Sequence, residues 1–92
     1  MLMLLSLRGD VGINIKGAVI MRITQLCKER NISYTELARL AGITPSTVYS
    51  LMQPTRKDVG ISTIKKICDG LDLPITDFFD TDTFRALMPE IQ

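Results

Sequence analysis

Apolar positions recur at helical spacing in five stretches of this chain, and no convincing strand pattern appears outside its first seven residues. Ile15, Val19, Ile23, Leu26 and Cys27 trace the inward stripe of a helix from about Ile15 to Arg30. Arg22, Gln25, Lys28 and Glu29 fall on its opposite, water-facing side, as an amphipathic helix requires. Asn14 is placed to cap this helix and Asn31 to end it. A second helix spans about Tyr34 to Ala41, with Leu37, Ala38 and Ala41 on one face. Ser33 and Glu36 form an S-x-x-E capping box at its start. Gly42 sits where a turn needs positive φ. Thr44 then reads as an N-cap and Pro45 as the first helical residue, the position that tolerates proline. Val48, Leu51 and Met52 give this third helix its apolar face, from Pro45 to about Met52. Pro54 forces the residue before it out of helical geometry, so the helix stops near Gln53. Residues 54–60, PTRKDVG, read as a polar loop. A fourth helix opens at Ile61 or Ser62 and runs to about Asp69, with Ile61, Ile64, Ile67, Cys68 and Leu71 facing in and Gly70 closing it. Thr76 is placed to cap a short fifth helix carrying Phe78 and Phe79. The tail TDTFRALMPEIQ has room for one more turn around Phe84 and Leu87 before Pro89. The reading is therefore all-α: a leader over 1–13, a helical domain over 14–80, and a tail over 81–92.

Two short helices joined by a tight glycine turn, here the second and third, are the helix-turn-helix unit. Its second helix can enter the major groove of DNA. If Val48, Leu51 and Met52 define the inward side of that helix, Ser46, Ser50 and Gln53 lie opposite, with Thr47 and Tyr49 on the flanks. Serine and threonine hydroxyls can donate or accept at any base edge, and the threonine methyl suits the thymine methyl. The competing reading of Ser46 and Ser50 is a plain solvated helix face.

Charge sharpens this picture. The net charge of the 92 residues is only +1, yet it is unevenly spread. Residues 21–66 carry eight basic and three acidic side chains, a net of +5. Residues 67–92 carry one basic and six acidic, a net of −5. A basic segment around the reading helix is what phosphate attraction favours. There is no histidine and no tryptophan. The lack of histidine removes the commonest general base and metal ligand. Cys27 and Cys68 form no metal-ligand spacing, and each falls on an apolar stripe, as a core thiol does. Reduced thiols and no recognisable export signal point to the cytoplasm. The leader MLMLLSL is too short to span a membrane and has no basic residue before it. Three readings compete for it: poor order, packing on the domain, or pairing with a partner chain.

The residues T-E-L-A-R-L-A-G-I-T-P-S-T-V-Y-S-L over 35–51 and S-T-I-K-K-I-C-D-G-L-D-L-P-I-T-D-F-F over 62–79 carry a resemblance. With five helices in this order, the chain resembles the lambda-repressor-like DNA-binding domains of the Cro and phage-repressor type, often called the XRE family. The likeness covers about residues 18–80. It implies an all-α fold of five helices with the helix-turn-helix at helices 2 and 3. It further implies that Pro45, Ser46, Thr47 and Ser50 occupy positions that touch base edges. Tyr34 matches a position that grips a phosphate with the help of its helix N-terminus. Gln53, Arg56 and Lys57 match the stretch that runs along the DNA backbone, and Thr44 and Tyr49 complete the candidate set. Three departures stand out. Many relatives carry Gln at the Tyr34 and Pro45 positions, and here neither is Gln. Many close the third helix with Leu-Glu-x-Gly, the Glu pairing with an Arg of the first helix. Here the positions read Leu51-Met52-Gln53-Pro54, with Cys27 at the Arg position. Replacing a buried ion pair by two soft apolar side chains is physically reasonable, because desolvation can cancel the Coulomb gain. The loop from Pro54 to Gly60 is long for the family.

The leading expectation is a sequence-specific transcriptional regulator of double-stranded DNA, acting as a repressor and a homodimer, with no cofactor, no metal and no membrane association. Its dimer surface is expected in the acidic C-terminal region with Phe78, Phe79, Phe84 and Leu87, the leader being the competitor. The alternative is that these phenylalanines are core, which is the favoured reading for Phe78 and Phe79 and stays open for Phe84. A second reading is an antitoxin-type or other interaction module whose tail captures a protein partner, with DNA binding secondary. An enzyme is not expected, since no acid–base or nucleophilic set can be assembled.

Overall fold

A computed structural model describes residues 13–56 and 58–91. Among them are six helices and no strand: α1 Ile15–Arg30, α2 Tyr34–Ala41, α3 Pro45–Leu51, α4 Ile61–Gly70, α5 Ile75–Phe79 and α6 Asp82–Arg85. The fold is thus all-α, with α2 and α3 forming the helix-turn-helix. The single extra turn, α6, follows a Thr81 cap whose Oγ1 accepts from Phe84 N. Residues 1–12, which hold nearly all of the leader, lie outside the described residues.

Local chemistry explains most boundaries. Asn14 Oδ1 accepts from Gly17 N at 2.8 Å and starts α1. Asn31, at φ 56°, ends α1 in the left-handed conformation that Asn tolerates better than most residues. Gly42, at φ 70°, does the same for α2, and Ile43 N donates back to Ala38 O at 3.0 Å. The Ser33 half of the capping box forms, Oγ accepting from Glu36 N at 3.1 Å. Its other half does not, because the Glu36 carboxylate turns to the Arg39 guanidinium instead.

Two helix ends differ from the sequence reading. Gly70 does not close α4; it is the last helical residue, and the left-handed turn falls on Asp72 at φ 54°. Glycine is needed there for space. A Cβ on Gly70 would stand 2.5 Å from the backbone oxygen of Leu40 and 2.8 Å from the nitrogen of Ala41. Thr76 does not cap α5 either. Pro74 holds the N-cap position, its carbonyl accepting from Asp77 N at 2.9 Å and Phe78 N at 3.2 Å.

The core gathers Val19, Ile23, Leu26 and Cys27 of α1, Leu37, Ala38 and Ala41 of α2, and Val48 and Leu51 of α3. Ile64, Ile67 and Cys68 of α4 join them, with Leu71 and Phe78. Helix α2 sits at the centre, packing on both α3 and α4. Burial of these apolar faces stabilises by about 1.5–3 kcal/mol per large side chain. Cys27 lies within this cluster and Met52 packs half-buried against it, so of the pair expected to replace a buried ion pair one member is in the core and the other at its edge.

Two inward assignments and one outward assignment change. Ile15 is 43% exposed while its neighbour Lys16 is 2% exposed. Ile61, the first residue of α4, is 65% exposed and stands off the seam made by Ile64, Ile67 and Cys68. Arg22 is not a free surface cation. Its Nε donates to Phe78 O at 2.7 Å and its Nη2 to Asp77 O at 2.8 Å, capping the end of α5. Phe78 is fully buried, and Phe79 bridges it to Phe84 with ring centroids 4.9 Å apart on either side. Phe84 therefore joins this aromatic cluster half-buried.

Candidate nucleic-acid interface

Helix α3 is anchored by two residues: Val48 is fully buried and Leu51 is 7% exposed. They stand three apart, so they share one side of a helix, and the residues between and before them face away. Ser46 is exposed and Ser50 half-buried. Thr44, Pro45, Thr47, Tyr49, Gln53 and Arg56 are exposed as well, and Tyr34 is half-buried. Lys57 lies outside the described residues.

Several candidates are tied to one another. Thr44 Oγ1 accepts from Thr47 N at 3.1 Å and shares a hydrogen bond with Thr47 Oγ1 at 2.9 Å. The cap thus holds the first turn of α3 and engages the Thr47 hydroxyl, leaving its methyl and remaining lone pairs outward. Tyr34, the first residue of α2, meets Tyr49, in the middle of α3, edge to face with centroids 5.7 Å apart at 77°. That arrangement suits the ring quadrupoles. These are the two tyrosines of the chain. No spacing rule pairs them, because the contact depends on how α2 crosses α3. Beyond α3 the chain makes a turn at Gln53-Pro54-Thr55-Arg56, where Arg56 N donates to Gln53 O at 3.2 Å. Proline at its second position pre-sets φ for such a turn.

A residue absent from the candidate set also holds this region. The buried Lys16 Nζ donates to Gln53 O at 3.1 Å and to Arg56 O at 2.7 Å. The spacing signal was ambiguous here, since positions 15 and 16 both lie one turn before Val19. Hydrophobicity favoured Ile15, but a lysine stem packs as well when its ammonium finds acceptors.

The electrostatic surplus is more committed than a charge count conveys. Arg30 Nη1 donates to Leu71 O at 2.9 Å, capping the end of α4. Arg39 pairs with Glu36, whose carboxyl is held below its usual range by that hydrogen bond, and Lys65 pairs with Asp69. Lys16, Arg22 and Arg30 are held by backbone carbonyls, which leaves Arg56, Lys28 and Lys66 as the described cations with neither a carboxylate nor a carbonyl partner. Of these, Arg56 is the last residue of the turn that follows α3. Burial raises both core thiols above the ordinary thiol range, and no group of three or more potential metal ligands occurs among the described residues. No helix among them is long and apolar enough to cross a membrane.

Comparison with known proteins agrees with this geometry. No curated protein matches the chain. A solved structure, described as the crystal structure of the prophage Lp1 protein 11, is similar with a TM-score of 0.71 at 28% identity. The match covers 80% of this chain and 97% of that one. The sequence profile of the Cro/C1-type HTH DNA-binding domain matches residues 22–83, which contain the whole helix-turn-helix and the two helices after it. This chain belongs to the Cro/C1-type helix-turn-helix DNA-binding family.

Proposed function

We propose that this DNA-binding regulator is a repressor that recognises a specific double-stranded site as a homodimer and occludes it. The observation that carries the reading is the small, hydroxyl-bearing outer side of α3, with Ser46 and Thr47 exposed and Ser50 half-buried. Nothing bulky on Pro45, Ser46 or Thr47 keeps the helix from close approach to base edges. Ser46, Thr47 and Ser50 read bases by hydroxyl and methyl contact. Tyr34, braced by Tyr49, and the turn carrying Gln53 and Arg56 hold phosphates and set the register. Thr44 contributes through its cap and Lys57 through its charge. One copy offers few base contacts, so affinity comes from two copies on half-sites about one helical turn apart.

Selection of bound duplexes from a random-sequence library tests the reading. A short two-fold-symmetric site should emerge, and Ser46→Ala or Ser50→Ala should weaken binding to it by about 1–3 kcal/mol while relaxing the preferred sequence. A library that returns no preference would remove the specific-regulator reading.

A further inference from the structure

Lys16 is the one buried charged side chain among the described residues, at 2% exposure. It has no carboxylate within ion-pair distance there. Its ammonium is instead satisfied by the carbonyls of Gln53 and Arg56, 37 and 40 residues away. Those two residues are the first and last of the turn that follows α3, and Gln53 O also accepts the closing bond from Arg56 N. One cation therefore clamps both ends of the turn and ties it to α1. It also lies just beyond the C-terminus of α3, where positive charge is favoured. An ordered cation at this depth carries a desolvation cost. A methionine would fill the same space without it but would leave the Gln53 and Arg56 carbonyls without this donor, so what the lysine adds is a fixed position for the turn.

We infer that Lys16 is a positioning residue for DNA binding: it fixes the turn so that the Gln53 and Arg56 side chains stand beside the reading helix at phosphate height. It touches no DNA itself. The inference rests on the proposed phosphate role of that turn. Without the clamp the Arg56 guanidinium is not held at its phosphate, so that contact is lost on every duplex, which lowers affinity without altering sequence preference.

The test compares wild type, Lys16→Met, Arg56→Ala and the double variant, measuring affinity for the selected site and for a random duplex at several salt concentrations. Lys16→Met should keep the helical circular dichroism of the wild type and lose about 3- to 10-fold in affinity on both duplexes. Its salt slope should flatten by about 0.9, the value of one lost phosphate contact. Adding Arg56→Ala to Lys16→Met should cost less than Arg56→Ala does in the wild type, the coupling expected when one residue acts through the other. Lys16→Arg, which keeps donors at the site, should restore most of the affinity. If Lys16→Met does not fold, Lys16→Gln is polar but too short to reach both carbonyls, and it carries the same expectations. A folded Lys16→Met or Lys16→Gln with wild-type affinity and slope, or with a loss strictly additive to that of Arg56→Ala, overturns the inference. An Arg56→Ala that leaves affinity and slope unchanged overturns the phosphate role of the turn, and the inference falls with it.

Discussion

At the residue scale, two glycines hold the helix-turn-helix for different reasons. Gly42 is in the left-handed region at φ 70° with open space where a Cβ would be. Gly42→Ala should therefore cost only the conformational penalty, about 1–2 kcal/mol. Gly70 has ordinary φ but lies against the backbone of Leu40 and Ala41, and backbone cannot move aside as a side chain can. Gly70→Ala should cost about 1–3 kcal/mol, and the damage should fall at the end of α2, beside the reading helix. Urea denaturation together with affinity for the selected duplex separates the cases: Gly70→Ala should also weaken DNA binding, whereas Gly42→Ala should act mainly on stability. The sequence marks Gly70 only as the residue that closes the fourth helix, which gives no sign that it must be small. That need comes from steric closeness to Leu40, which is a tertiary fact. The same holds for Lys16, whose burial depends on carbonyls that sequence spacing does not bring near.

At the element scale, helix positions were legible because their signals are local. Asn14, Ser33, Thr44, Gly42 and Asn31 act within a few residues of themselves, and the three helices they bound lie where these residues put them, with α3 ending one residue earlier, at Leu51. Misreadings fell where two local signals competed. Pro74 and Thr76 both qualify as helix starters, and the proline prevails because its φ of −59° already suits the cap. Helix α3 is short and leans on its cap, so Thr44→Ala should lower stability by about 1 kcal/mol. It should also free the Thr47 hydroxyl from its partner and reduce discrimination between DNA sites. The bracing of α2 against α3 is open to a double-mutant cycle. Tyr34→Ala and Tyr49→Ala should show a coupling of about 0.5–1.5 kcal/mol in unfolding free energy, and a coupling of zero would mean that the ring contact adds nothing.

At the scale of the whole molecule, charge and core set the conditions under which the protein works. The middle of the sequence is net basic and its final part net acidic, and under the proposed reading the first should face phosphate and the second point away. The two buried thiols hold their protons more tightly in the folded chain than in the unfolded one. Stability is thus fully present below the ordinary thiol range and is lost as pH rises through about 8.5 and beyond. Urea midpoints measured from neutral to alkaline pH should fall, and the fall should be shallower in Cys68→Ala than in the wild type. Native protein should resist a maleimide at neutral pH, with labelling of Cys27 and Cys68 following unfolding. The candidate site was legible as a set of side chains, since helical period alone separates Val48 and Leu51 from Ser46. Its supports were not, being contacts between α1 and the turn after α3 and between α2 and α3. The most direct trial of the reading helix is amide chemical-shift mapping of the labelled protein with its selected duplex and with a scrambled one. The outer side of α3, from Ser46 to Ser50, should respond strongly to the selected duplex alone, while Arg56 responds to both. Equal responses along α3 to both duplexes, or shifts centred on the acidic residues after Ile67, would contradict it.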